Sequence, residues 1–415
     1  MTVIIKHTLP NGVRIVAESI PHVRSVALGI WTGAGSERET PQNNGISHFI
    51  EHMLFKGTAT RTARQLAESF DEIGGQVNAF TAKEMTCYYA KVLDEHFSTA
   101  LDILTDMLFH SQFGLEEIEK EKKVIVEEVR MVEDTPDDLV HDLLAEASLG
   151  NHSLGLPVIG TVENIQSYTR DQLLSYMNDH YHPHNLIVSI AGNLPDDFLR
   201  QIEEKFANHS GSQAQTAMDQ PIFTPQQKIK QKVTEQTHLC IGLPGLAIGD
   251  SRLYQLILLN NIMGGNMSSR LFQEIREERG LAYSVFSYHS AHKETGLFAI
   301  YAGTAPGQEE EVMDVIHYTL DQVVAHGITD TELRKAKDQL KSSIVLGLES
   351  TSNRMSRLGR NEILLGRHYT LDEMMELITR TTLVELNEMA RTTFSTPMSL
   401  AMISPDGMVP NSFRG

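Results

Sequence analysis

The chain has 415 residues, 41% of them hydrophobic and 21% charged, enough for a large buried core in more than one domain and ordinary for a globular protein. Its net charge of −19, from 35 basic and 54 acidic residues, argues against nucleic-acid binding, which needs a basic face. No apolar stretch approaches a membrane span, and two distant cysteines, Cys87 and Cys240, offer neither a CxxC pair nor a thiolate zinc site, so a reducing cytoplasm is expected.

At the N-terminus, Val3, Ile4 and Ile5 make an apolar run too short for a signal peptide, and no Arg-rich transit segment follows. Alternating apolar runs predict strands over 13–17 and 26–31. A helix follows over 45–55, with Asn44 as its cap and Gly57 as its end. A second helix over 63–73 stops at Gly74 and Gly75. Strands over 77–81 and 86–92 come next, then helices over 95–109 and 115–132. The cluster of His180, His182 and His184 around Pro183 reads as a helix-to-strand connector leading into a strand over 186–192.

The stretch 207–230 is rich in Gln, Ser, Gly, Thr and Pro and lacks periodicity. It predicts domains over 1–210 and 231–415 joined by a linker over 211–230. The second half repeats the plan of the first. A strand over 238–243 precedes helices over 251–263 and 268–278, the latter stopping at Gly280. Strands over 282–289 and 296–302 precede helices over 309–324 and 330–347. The shared order predicts an internal duplication of an α/β unit, a mixed sheet packed with helices. The second-half stretch matching the first histidine-bearing helix, 253–265, holds no histidine and no carboxylate.

His48 and His52 stand four residues apart in His48-Phe49-Ile50-Glu51-His52. On a helix that spacing places both imidazoles on one face, close enough to share an ion. Glu51 lies on nearly the same face, within reach of a water there. Imidazole suits zinc, and a catalytic zinc usually takes three protein ligands. The third has to come from elsewhere, and the 115–132 helix is the best source. Glu121 and Glu128 lie two turns apart on one face of it, and Glu128 sits among Val124, Ile125, Val126 and Val129, where a carboxylate is costly to bury unless paired or metal-bound. The structural alternative is a pair of core or surface histidines.

The segment from Gly45 to Thr58, containing His48-Phe49-Ile50-Glu51-His52, resembles the inverted zinc motif of the pitrilysin/insulinase peptidase family. Within that family it is most similar to the mitochondrial processing peptidase β-subunit branch and its bacterial relatives. The resemblance implies a zinc-dependent endopeptidase with one Zn2+ per chain, held by His48, His52 and Glu128. Glu51 would be the general base and Glu121 an assisting carboxylate. Asn78-Ala79-Phe80-Thr81 resembles the edge strand that aligns an extended peptide substrate, consistent with the free backbone groups of a sheet edge. Ser269 to Ser284 resembles the family's Arg–Tyr segment, which implies that Arg276 and Tyr283 reach the scissile region, with Tyr283 bonding an oxyanion. The structural alternative is a surface ion pair and a half-buried strand tyrosine.

Members with a full clamshell in one chain carry four such domains. This chain has two, so the resemblance implies half a clamshell and a homodimer in which Arg276 and Tyr283 face the other chain's zinc. The noncatalytic partner subunit of the mitochondrial enzyme has a long Gly-rich loop, whereas Gly264 and Gly265 here sit in a short turn. They precede no Gly-Lys-Ser/Thr, so they are no phosphate loop either. The acidic residues between Glu116 and Asp138 read mainly as a solvated face. Turnover of a peptide separates the peptidase reading from a noncatalytic family member and from a binding protein with structural zinc.

Overall fold

The computed structural model describes residues 4–211 and 219–415. They form two compact units. The first takes residues up to 130 with 156–211 and 346–368, and the second takes 131–155, 219–345 and 369–415. The division therefore departs from one cut at 211–230. Part of that expected linker, Gln227–Gln231, is a strand, and 212–218 lie outside the described residues.

The first unit is built on a six-stranded sheet of β1 (Ile4–Thr8), β2 (Arg14–Ser19), β3 (Ser25–Thr32), β4 (Gln76–Thr81), β5 (Thr86–Leu93) and β6 (Leu186–Gly192). Their spatial order is β1-β2-β6-β3-β5-β4. Only β2 and β6 pair in parallel. β4 forms one edge, hydrogen-bonded to β5 alone. Val26, Leu28 and Ile30 of β3 enter a core shared with helices Ile46–Met53 and Phe97–His110. Strand residues alternate faces, so Gly29 and Trp31 point the other way. That second face is covered by the Thr351–Leu364 helix, where Met355 and Gly359 meet Gly29 and Trp31. A strand buried on both faces reads as an unbroken apolar run, as β3 does.

The second unit carries β7 (Gln227–Gln231), β8 (Thr237–Pro244), β9 (Ala282–Ala291), β10 (Gly296–Thr304) and β11 (Ser399–Ser404) in the order β7-β11-β8-β10-β9. One parallel pair, β7 with β11, again sits in an otherwise antiparallel sheet. This order reproduces β2-β6-β3-β5-β4 strand for strand, the repeated α/β plan expected from sequence. One face holds Leu239, Ile241 and Leu243 against helices Leu253–Met263, Glu309–His326 and Leu383–Phe394. The other holds Cys240, Ala299 and Ala401 against Val140 and Leu144 of the Pro136–Leu149 helix.

Each sheet thus has its second face covered by a helix from the opposite half of the chain. An uncovered apolar sheet face would stay in water, at roughly 25 cal/mol per Å², and neither half supplies both covers locally. Among the described residues no helix is long and apolar enough to cross a membrane.

Candidate metal centre

The Ile46–Met53 helix starts on Gly45, whose φ of 98° is the left-handed conformation that favours glycine. A Cβ there would also lie 2.8 Å from Gly160 Cα and from the Ile159 carbonyl oxygen. The expected Asn44 cap is not formed. Its amide nitrogen is turned away, donating to Glu39 Oε2 and to the Pro157 carbonyl. The cap comes from further upstream: Glu39 Oε2 accepts the Gly45 N–H at 2.7 Å and Oε1 the Ser47 N–H at 2.9 Å. Burial pushes the Glu39 carboxyl up, and these donors pull against it.

From this fixed start, His48 and His52 project on one face with ring centroids 4.7 Å apart. Glu128, from helix Leu115–Glu133, places Oε2 3.9 Å from His48 Nε2 and 3.5 Å from His52 Nε2. One donor atom from each of the three lies within 4.8 Å of the others. These separations exceed good hydrogen bonds. Tetrahedral partners at ~2.0–2.2 Å from an ion stand about 3.3–3.6 Å apart, so the His52–Glu128 separation falls in that range and the His48–Glu128 separation is slightly wider. All three side chains are partly buried.

The surroundings fit imidazoles acting as ligands. Burial, then the neighbouring His52, lowers the His48 pKa to about 4, so its ring is neutral. Burial also disfavours charge on His52, but Glu121, Glu128 and Glu51 outweigh it and its pKa is raised. His52 Nδ1 lies 3.0 Å from Glu121 Oε2, an arrangement that directs Nε2 toward the cluster. Glu121 is itself buried and pairs through Oε1 with Lys56 Nζ at 2.7 Å. Burial raises its carboxyl, but the bonds from His52 and Lys56 prevail and its pKa is lowered. Glu51 shares the helix and accepts a hydrogen bond from the Thr81 hydroxyl. Burial raises its carboxyl, with Thr81 opposing.

Asn78, Ala79, Phe80 and Thr81 all lie on the edge strand β4. Asn78 is exposed, Ala79 packs against the core, and Phe80 stands edge-on to Trp31 at 5.6 Å. Arg276 and Tyr283 are brought together in the second unit. The guanidinium lies 4.7 Å from the Tyr283 ring centroid and 4.8 Å from that of Phe272. Arg276 sits on a π-helical turn, Phe272–Glu277, where an α-helix over 268–278 was expected. Tyr283 is 76% exposed rather than half-buried. His182, in the expected connector, is buried, and among the described residues only His48, His52 and Glu128 form a group able to hold a metal.

Sequence reasoning missed Glu39, Lys56 and the bond from Thr81 to Glu51. Lys56 was legible in principle, four residues past His52 on the same turn of chain. Glu39 left no periodic signal.

The family model described as Insulinase (Peptidase family M16) matches residues 14–162, and that described as Peptidase M16 inactive domain matches 167–340. A zinc protease of Bacillus subtilis (strain 168), YmxG, is 52% identical over 406 residues, covering 98% of this chain and 99% of that protein. A zinc protease of Streptomyces coelicolor is 42% identical, covering 96% and 89% respectively. The fold is shared with a Helicobacter pylori protease crystal structure, at a TM-score of 0.91 and 21% identity, over 98% of this chain and 100% of that one. With family models reaching from residue 14 to 340 and relatives aligned over nearly its whole length, the chain belongs to the insulinase, or M16, peptidase family.

Proposed function

We propose that this protein is a zinc-dependent endopeptidase that hydrolyses peptides or unfolded segments bound in an extended conformation within an enclosed cleft. The observation that carries the reading is a carboxylate, Glu51, on the same short helix as two of three convergent metal-ligand side chains, hydrogen-bonded to an edge strand through Thr81. His48, His52 and Glu128 would hold one Zn2+ per chain. A zinc ion there supplies Lewis acidity for the carbonyl and for water.

The chain's own groups do the rest. The free edge of β4, through Asn78, Ala79, Phe80 and Thr81, offers backbone donors and acceptors to an added peptide strand. Glu51 takes a proton from water as the water oxygen bonds to the peptide carbonyl carbon. It returns that proton to the amine nitrogen as the C–N bond breaks. Glu121 holds His52 by its Nδ1 and is held in turn by Lys56. Arg276 and Tyr283, contributed by a second copy in a homodimer, would bind the substrate carbonyl and the oxyanion. Two buried, unpaired cysteines, Cys87 and Cys240, suit a reducing cytoplasm.

Glu51→Gln keeps the shape and removes the base. Cleavage of a mixed peptide library should fall by ~10²–10⁴-fold, with zinc content by elemental analysis unchanged. Full activity in the mutant would remove Glu51 from the mechanism. Absence of cleavage by folded, zinc-loaded wild type would remove the peptidase reading.

A further inference from the structure

The Ile46–Met53 helix is only eight residues long yet carries three of the residues that the proposed chemistry needs. A helix this short has little intrinsic stability, so its orientation must be set from outside. Its first N–H groups find no acceptor in their own cap residue, since Gly45 has no side chain and Asn44 is turned away. Both oxygens of Glu39, a residue only 4% exposed, are used there instead. Asn44 Nδ2 bonds one of those oxygens at 2.9 Å and so braces the carboxyl.

The rest of the helix start is held equally closely. Tyr168 donates its hydroxyl to the Asn44 carbonyl at 2.8 Å, and the Ser47 and Tyr176 hydroxyls lie 2.9 Å apart. Gly45 and Gly160 are in near contact. Glu39 is the acidic member of this cradle. Its two oxygens, bonded to N–H groups two residues apart within the first turn, fix both the tilt and the rotation of the helix. Rotation is what decides whether His48 and His52 converge on Glu128, which stands on a different helix. A negative group at this end is also favoured by the helix dipole.

We infer that Glu39 is a positioning residue for catalysis, acting through the backbone N–H groups of Gly45 and Ser47 to aim His48, His52 and Glu51. The inference rests on the reading of His48, His52 and Glu128 as metal ligands. Glu39→Gln keeps the volume but turns an acceptor into an NH2 donor facing other donors. The helix start then loses the carboxylate contacts that set its rotation, while β4 and its substrate edge stay in place.

The test uses full-length protein loaded with Co2+ as the probe metal, together with steady-state kinetics of the zinc form. In Glu39→Gln, kcat for a peptide cleaved by wild type should fall about 10–100-fold, with KM within about twofold because substrate contacts are untouched. The visible absorption of bound Co2+ should change in position or intensity, which a loss of global stability alone would not produce. Should Glu39→Gln fail to fold, Asn44→Ala removes the brace on Oε2, together with the bond to the Pro157 carbonyl, and should give a smaller change of the same kind. Wild-type kcat and a superimposable Co2+ spectrum in the folded variant overturn the inference. If wild type binds Co2+ but cleaves nothing, the peptidase reading falls, and the spectral comparison still decides the role of Glu39.

Discussion

Replacing Gly359 by alanine probes how closely the Thr351–Leu364 helix is seated on the first sheet. An added Cβ would lie 2.2 Å from Trp31 Cε2, 2.4 Å from Nε1 and 2.6 Å from Cζ2. Trp31 cannot withdraw. It is fully buried, and its indole N–H donates to Ser189 Oγ at 2.7 Å. Ordinary contact begins near 3.4 Å, so the helix must lift by about an ångström or the ring must leave its bond. Overpacking of this kind costs about 1–3 kcal/mol, and alanine returns roughly 0.8–1.0 kcal/mol of helix propensity. A net loss of up to about 2 kcal/mol corresponds to a fall of up to roughly 8 °C in the melting midpoint of a unit this size. Trp31 is the single tryptophan of the chain, so tryptophan fluorescence reports on its surroundings, the Gly359 contact among them. The native emission should shift or change in yield, and the midpoint should drop, with circular dichroism retained. An unchanged spectrum together with an equal or higher midpoint would refute the packing argument.

Glu362, on the same helix, is buried among His368, Lys6 and Arg14. Burial raises its carboxyl, but the bonds and charges of those three partners dominate and hold its pKa at about 2. A pKa depressed on folding gives stability that is present above the unfolded value near 4.5 and is lost as pH falls toward about 2. Glu362→Gln should therefore be less stable than wild type at pH 7 by about 3 kcal/mol, and the gap should close on acidification. Denaturant midpoints across that range are the measurement, and a gap independent of pH would exclude the ionic origin. For the proposed homodimer, Glu51→Gln and Tyr283→Phe should each be nearly inactive alone. After mixing and subunit exchange they should recover about a quarter of wild-type activity, because half the dimers then hold one complete site. No recovery, with exchange verified, would show that Tyr283 does not act across subunits.

Much of the candidate metal centre was legible because three of its residues are local to one helix. His48, Glu51 and His52 fall on one helical face, and Glu128 is an acid among valines and isoleucine, which made it a candidate that the family resemblance then singled out. The edge position of β4 came from the resemblance of Asn78-Ala79-Phe80-Thr81 to the family's edge strand, because a short strand beside a turn does not by itself show an edge. What stayed hidden was set by tertiary contact. Amphipathicity announces that the Thr351–Leu364 and Pro136–Leu149 helices have a face to bury, but not that each covers the sheet formed by the opposite half of the sequence. The π-helical turn at Phe272–Glu277 adds no residue type that distinguishes it from an α-helix. It shows only in the backbone, where the Glu278 N–H reaches back to the Gln273 carbonyl. Glu39 lies in a loop with no period at all, and Asn44, the better cap by composition, is drawn off by Pro157.

The duplication makes clear how little of the chemistry belongs to the fold. The Leu253–Met263 helix follows β8 as the Ile46–Met53 helix follows β3, and β9 ends its sheet as β4 does. In the second unit that helix buries Leu256, Leu258, Leu259, Ile262 and Met263 and carries no histidine and no carboxylate. It can do so because a helix apolar on most sides has no need of ions or water. The first-unit helix also buries Ile46, Phe49, Ile50 and Met53, so its core face is conventional. Its other face holds two imidazoles and a carboxyl, groups that are expensive to leave half-buried unless something compensates them. Glu121 with Lys56 compensates His52, Thr81 compensates Glu51, and the gap of 3.5–3.9 Å between the histidines and Glu128 remains. A cation in that gap would offset the carboxylates that converge there, and so the same topological position is a candidate metal site in one unit and plain core in the other.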